Sequence, residues 1–302
     1  MTWRQWIETW YWAMRPFTLS ASVVPVVVGN ALAWHYGTLS WWLLMLTLLG
    51  AVLVQGATNL VDEYSDHVEG ETQSKKIQAP YKVIARGLLS PREVLAGALV
   101  CFGVATVIGV YIVLRSGWPI ALVCLASLGV AYGYSAGPLP LGNLGLGEPL
   151  VFVFMGPVMV LASFYVQTQT LTWLAVWASL PVACLVTAIL VVNNLRDQEE
   201  DAHSGKVTLV TLWGRQPVVW LYDGLLVLAF GSIVGLSVAG LATRGVGALL
   251  WLAPLLVLPR GVVVARMVQQ GAERAVLHQA LQRSAQLHLH FGLLLALAAL
   301  FR

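Results

Sequence analysis

Nine of the fourteen Asp and Glu residues of this chain fall in two short clusters. The first runs from Asn59 through Asp62, Glu63, Tyr64 and Asp66 to Glu69 and Glu71. The second runs from Asn193 and Asn194 through Arg196 and Asp197 to Glu199, Glu200 and Asp201. Both stand where an apolar run meets a polar loop, so their charge requires a counter-ion. Residues four apart share a helix face. Asp62 with Asp66, and Asp197 with Asp201, therefore each aim two carboxylates in one direction. Such hard oxygen donors suit Mg²⁺, which is typically held by one or two carboxylates plus the phosphates of a substrate. Two such pairs facing each other would clamp a diphosphate. Arg196 and Lys206 flank the second cluster, while Lys75, Lys76, Lys82 and Arg86 follow the first. Their charge can neutralise a diphosphate as its carbon–oxygen bond breaks, and Arg196, set inside the motif, is the foremost candidate.

The elements that position these acids are membrane helices. The chain is 58% hydrophobic and only 10% charged, with a mean hydropathy of +0.77, whereas soluble domains carry about 25% charge. A bilayer span needs about 20 mostly apolar residues. Candidates lie at about 17–36, 41–62, 93–115, 118–136, 148–167, 171–194, 216–240, 245–265 and 285–301. The predicted fold is thus an all-α polytopic membrane protein: nine transmembrane helices in one bundle, with cytoplasmic Asp-rich loops over a central cavity. Residues 1–14, with Trp3, Trp6 and Trp10 at helical spacing, read as a short interfacial helix and not as a cleavable signal peptide. No Pro/Ser-rich linker divides the chain, so 1–302 reads as one domain.

Charge sets the expected orientation. Of 17 Lys and Arg, only Arg115, Arg244 and Arg302 fall on the side of the short turns. The positive-inside rule then places the N-terminus and both acidic clusters in the cytoplasm of a cell (inner) membrane, with the C-terminus outside. The net charge of +3 is spread among loops and does not indicate a nucleic-acid partner. Cys101, Cys124 and Cys184 lie in apolar runs without metal or disulfide spacing.

Other polar residues are less specific. Tyr132 and Tyr134 precede a Gly/Pro-rich loop through Pro138 and Pro140 to Glu148; their rings either face a developing allylic cation or anchor the chain at the interface. Asp223, inside an apolar run, either orients an acceptor hydroxyl or hydrogen-bonds a neighbouring helix. His67 and His203 lack zinc spacing and read as solvated. A cation-coupled transporter would also use acids, but its sites usually lie near the bilayer midplane on broken helices. Acids at span ends on one face favour chemistry on a phosphorylated amphiphile.

These residues resemble the UbiA-type intramembrane aromatic prenyltransferases, over nearly all 302 residues. Within that superfamily they are most similar to the 1,4-dihydroxy-2-naphthoate polyprenyltransferase branch. The resemblance rests on Arg15-Pro16-Phe17-Thr18-Leu19, on Tyr134-Ser135-Ala136-Gly137-Pro138 and on Gly145-Leu146-Gly147-Glu148. Its most specific stretch runs from Asn193 to Asp201 and on through Gly205-Lys206-Val207-Thr208. The family's usual Asn-Asp-Tyr-x-Asp reads Asp62-Glu63-Tyr64-Ser65-Asp66 here, and Thr72 stands where a further Asp is expected, with Glu69 and Glu71 nearby.

The resemblance implies Mg²⁺ ligands at Asp62, Glu63, Asp66, Asp197 and Asp201. It implies catalytic roles for Arg196, Lys206 and Tyr134, and substrate contacts from Asn59, Asn193, Asn194, Arg15, Lys82 and Arg86. The implied reaction joins a polyprenyl diphosphate to an aromatic acceptor in the bilayer, with decarboxylation in the naphthoate case of menaquinone biosynthesis. Hydroxybenzoate, homogentisate, a chlorin, haem or a glycerol-phosphate lipid remain alternative acceptors within the superfamily.

Overall fold

The computed structural model describes residues 1–68, 80–135 and 140–301. Glu69, Gly70, Glu71, Thr72, Lys75, Lys76, Ala136, Gly137, Pro138 and Arg302 lie outside the described residues. The described chain is helical throughout, without a named strand.

Helix α1, Trp3–Ala13, begins at a capping box in which Thr2 and Gln5 satisfy each other's backbone N–H groups. Trp3, Trp6 and Tyr11 remain exposed, and the rings of Trp3 and Trp6 stack at 5.3 Å. A 3₁₀ turn at Pro16–Thr18 leads to α2, Ser20–His35. Then come α3 (Trp41–Val68), α4 (Pro91–Ser116) and α5 (Trp118–Ser135). Helices α6 (Gly147–Val153) and α7 (Met159–Thr168) are joined by a π-helical turn at Phe154–Val158. That turn absorbs Pro157, which lacks an N–H to donate. Helix α8, Trp173–Ser204, is followed by α9 (Leu209–Trp213), α10 (Arg215–Arg244), a 3₁₀ stretch (Gly245–Val257), α11 (Leu258–Gln270) and α12 (Arg274–Leu300).

Helical segments thus lie at each of the nine predicted positions among the described residues. Six are long and apolar enough to cross a membrane: Trp41–Val68, Pro91–Ser116, Gly147–Thr168, Trp173–Ser204, Arg215–Leu241 and Val246–Gln270. A shorter apolar helix covers Trp118–Tyr134. Leu114 of α4, Trp173 of α8 and Val227 of α10 are among the many large apolar side chains exposed on the outside. An apolar exterior on that scale suits lipid and not water.

Helix α8 is the central post. The most apolar window of α8 is 72% buried, against 17–33% for the other five long helices. It packs against α2, α6, α10 and α12, and its Val182, Leu185, Ala188 and Val191 sit in the largest apolar cluster. Small residues permit the close approaches: a Cβ on Gly156 would lie 2.3 Å from that of Ala183 on α8.

Three element ends differ from the sequence reading. Helix α3 continues to Val68 and α8 to Ser204, so Asp62–Asp66 and Asp197–Asp201 ride on helix ends and not in loops. Helix α12 begins at Arg274, not at 285, because its polar first turn is held to α8 by ion pairs. Asp223 accepts a hydrogen bond from Gln269 of α11 at 2.8 Å, the structural one of its two expected roles.

Candidate active site

The first motif is assembled around the break between α1 and α2. Asn59 of α3 donates to the Met14 carbonyl at 2.9 Å and to Thr18 Oγ1 at 3.0 Å, which pins the connecting turn. Within that turn Arg15 adopts a left-handed backbone, with φ of 51°, a conformation that is uncommon for a residue with a Cβ. It turns the guanidinium toward α3, where Nη1 lies 2.5 Å from Asp62 and Nη2 lies 4.0 Å from Glu63. The same group stacks 4.9 Å from the centre of the Tyr81 ring.

Lys82 approaches from the chain before α4 and is buried. It pairs with Asp66 and lies 3.3 Å from Glu63. Burial works against its charge, but Asp66 outweighs it with help from Glu63 and Asp62, so the ammonium is held above its ordinary range. Glu63 is buried and takes the Ile84 N–H at 3.2 Å. Its neighbours in sequence, Leu60, Val61 and Tyr64, belong to an apolar cluster with Ala13, Val83 and Val94. Arg86 is exposed, with its guanidinium donating to the Pro80 carbonyl at 3.3 Å.

The second motif lies on the last three turns of α8. Arg196 grips Asp197 through Nε at 2.8 Å and Nη2 at 2.5 Å, and donates to Asn193 Oδ1 at 2.8 Å. Arg274 of α12 adds a second cation, 3.0 Å from Asp197 and 2.8 Å from Glu200. Asn194 donates to the buried Glu148 carboxylate of α6 at 2.9 Å. His203 lies against the Glu199 carbonyl at 2.5 Å.

Helix α8 stops at Gly205, in the left-handed conformation with φ of 75°, the usual device for a helix C-terminus. Lys206 N–H then returns to the Asp201 carbonyl at 2.9 Å. One residue on, Val207 forms a bridge with Leu144: Gly145 N–H donates to Val207 O at 2.8 Å, and Val207 N–H to Asn143 O at 3.1 Å. This latch ties the loop carrying Lys206 to the one beside Tyr134. A Cβ on Gly142 would stand 2.9 Å from the Tyr134 ring, and one on Gly147 3.2 Å from its hydroxyl.

Lys206 joins the motifs. Burial disfavours its charge, yet Asp62, Asp201 and Asp66 together hold the ammonium above its ordinary range. Tyr134 shares the fields of Lys206, Asp62, Glu148 and Asp201, and Arg196 feels Tyr81 and Arg15. The two acidic helix ends therefore face one site lined with cations. Among the described residues, no three His, Cys, Asp or Glu side chains form a ready metal cage. The donor set, two carboxylates per helix end, nonetheless fits a cation that completes its shell with substrate phosphate.

Sequence reasoning missed Arg274, which lies 77 residues from Asp197 with no motif around it. It gave no role to Tyr81 and none to Glu148, although both adjoin residues that it selected.

Comparison with known proteins gives the class of this helical bundle. The UbiA prenyltransferase family matches residues 22–290, and the chain belongs to that family: it is a prenyltransferase and a multi-pass membrane protein. It is similar to the 1,4-dihydroxy-2-naphthoate octaprenyltransferase of Bacillus subtilis, 34% identical over 95% of this chain and 90% of that one. The enzyme of the same name from Mycobacterium tuberculosis is 35% identical over 79% and 85%. A UbiA homolog from Archaeoglobus fulgidus, solved bound to GPP and Mg²⁺, shares the fold with a TM-score of 0.64 at 14% identity, covering 95% of this chain and 99% of that one.

Proposed function

We propose that the protein transfers a polyprenyl group from polyprenyl diphosphate to 1,4-dihydroxy-2-naphthoate, with loss of the carboxyl group, in menaquinone biosynthesis. The observation that carries this reading is Lys206, a half-buried ammonium under the joint field of Asp62 and Asp66 on α3 and Asp201 on α8. A cation so placed between two carboxylate pairs suits a diphosphate better than a free inorganic ion. The naphthoate acceptor is supported by the relatives in Bacillus subtilis and Mycobacterium tuberculosis.

In this reading Asp62, Glu63, Asp66, Asp197 and Asp201 supply the Mg²⁺ ligands, and Glu63 also lies 3.3 Å from Lys82. Bound there, Mg²⁺ would act as a Lewis acid on the diphosphate oxygens. Arg15, Lys82, Arg196 and Lys206 bind the diphosphate and oppose its growing charge, while Asn59, Asn193 and Asn194 orient their neighbours. Arg86 meets the diphosphate only at the rim. The Tyr134 ring faces the allylic cation, and the bundle excludes water from it. The prenyl tail leaves sideways into lipid. Nine membrane-crossing helices form a single domain over 1–302, with the acidic helix ends and N-terminus cytoplasmic and the C-terminus outside.

The test is a product assay on membranes expressing this chain, given radiolabelled geranylgeranyl diphosphate and Mg²⁺. Dihydroxynaphthoate and hydroxybenzoate are offered separately. A prenylated, decarboxylated naphthoquinol that disappears with EDTA is expected. Product with hydroxybenzoate alone would sink the acceptor assignment, and no product with any ring acceptor would sink prenyl transfer to aromatics.

A further inference from the structure

Most carboxylates of the site are described with cation partners: Asp62 with Arg15, Asp66 and Glu63 with Lys82, Asp197 with Arg196 and Arg274, and Glu200 with Arg274. Glu148 is different. It is 3% exposed, and among the described side chains it accepts from a neutral amide, Asn194 Nδ2 at 2.9 Å. It is held next to Tyr134, whose hydroxyl a Cβ on Gly147 would approach to 3.2 Å. Tyr134 of α5 shares the fields of Glu148, of Asp62 on α3, of Asp201 on α8 and of Lys206 just after it, so these are the charged and titratable groups around the Tyr134 side of Glu148. A carboxylate gripped by cations is a poor proton acceptor; among the described residues no Lys or Arg forms an ion pair with Glu148. Asn194 ties Glu148 to the second acidic motif, and the neighbouring Gly147 packs against the Tyr134 hydroxyl, so an acceptor entering between Tyr134 and that motif would pass Glu148.

We propose that Glu148 is the proton acceptor for the ring hydroxyl of the aromatic substrate, and that Asn194 and Tyr134 position it. This rests on the prenyl-transfer reading above. The ring carbon bearing the carboxylate forms a bond to the allylic carbon, whose bond to diphosphate oxygen breaks with its electron pair leaving on the diphosphate. The neighbouring hydroxyl loses its proton to Glu148, and its O–H pair becomes the second bond of a carbonyl. The product is a β-keto carboxylate. It loses CO₂, and the pair from the broken carbon–carbon bond restores the ring as the carbonyl oxygen recovers the proton from Glu148. Protons balance, and Glu148 ends as it began.

Glu148→Gln separates this role from a merely structural link, because a Gln side-chain oxygen accepts the same Asn194 hydrogen bond without accepting a proton. General-base loss predicts a fall in kcat of about a hundredfold or more, with KM for geranylgeranyl diphosphate and thermal stability unchanged. The acidic limb of the kcat–pH profile should flatten. Glu148→Asp keeps the acid one methylene shorter and should retain that limb; it carries the test if the Gln variant is not recovered in membranes. Activity of Glu148→Gln within about threefold of wild type, or a Glu148→Asp profile without the acidic limb, overturns the proposal. Wild-type membranes assayed alongside separate the two readings. An inactive wild type defeats prenyl transfer itself, whereas an active wild type beside an equally active Gln variant defeats only the role of Glu148.

Discussion

Arg15 and Asp62 meet at 2.5 Å across the junction of α1, α2 and α3, and they do so because Arg15 carries a left-handed backbone with φ of 51°. Arg15→Gly would relieve the backbone and remove the cation. Arg15→Gln keeps the strain and loses the charge. Both leave Asp62 short of its partner, so both should lose turnover, with Arg15→Gln the less stable by about 1 kcal/mol, the usual cost of a residue held at positive φ relative to Gly. Thermal shift and product assay on the two variants read this; equal activity to wild type in either would dismiss a role for the guanidinium.

Asp197 holds two guanidiniums. Asp197→Asn should lower kcat by about a thousandfold, as expected when a group that organises transition-state charge is removed, and added Mg²⁺ should not restore it. Asp66→Asn is expected to behave alike through Lys82. Full activity in either variant would contradict the diphosphate clamp.

Arg274 links α12 to α8 through Asp197 and Glu200 with its side chain 37% exposed. Exposure limits the stability loss in Arg274→Ala to about 1 kcal/mol. The larger effect should be a raised KM for the prenyl diphosphate, since Asp197 loses the Arg274 cation and keeps Arg196. An unchanged KM with reduced stability would make Arg274 a helix tie only.

Lys206 gives a pH signature. Its ammonium is held above the ordinary 10.5, burial notwithstanding, by Asp62 and Asp201. A group whose folded value is raised contributes stability that is fully present below 10.5 and is lost as pH rises through the folded value. Melting temperatures of wild type and Lys206→Met should therefore differ by a constant amount from about pH 6 to about pH 9. A difference that shrinks within this range would mean that Lys206 is not so held.

Gly142 backs the Tyr134 ring, and a Cβ there would fall 2.9 Å from both the ring and the Tyr134 carbonyl. Gly142→Ala should displace the ring at a cost of about 1–3 kcal/mol and reduce kcat more than it alters diphosphate affinity. Crystallographic or crosslinking evidence of an unmoved ring would remove the basis for this effect.

The sequence by itself determined the helical, membrane-embedded class, through apolar runs too long and too uncharged for a soluble core. It also determined the two carboxylate pairs, because a spacing of four is a local property of one helix and needs no partner to be read. What only the tertiary structure decided is who neutralises whom. Lys82, 16 residues from Asp66, and Arg274, 77 residues from Asp197, meet their acids through chain reversals that leave no local pattern. Glu148 shows the same limit: its Gly-rich stretch was legible, but its pairing with Asn194 depends on α6 packing against α8. The bridge from Leu144 to Val207 likewise sets Lys206 beside Tyr134 through backbone groups, which every residue carries and no sequence distinguishes.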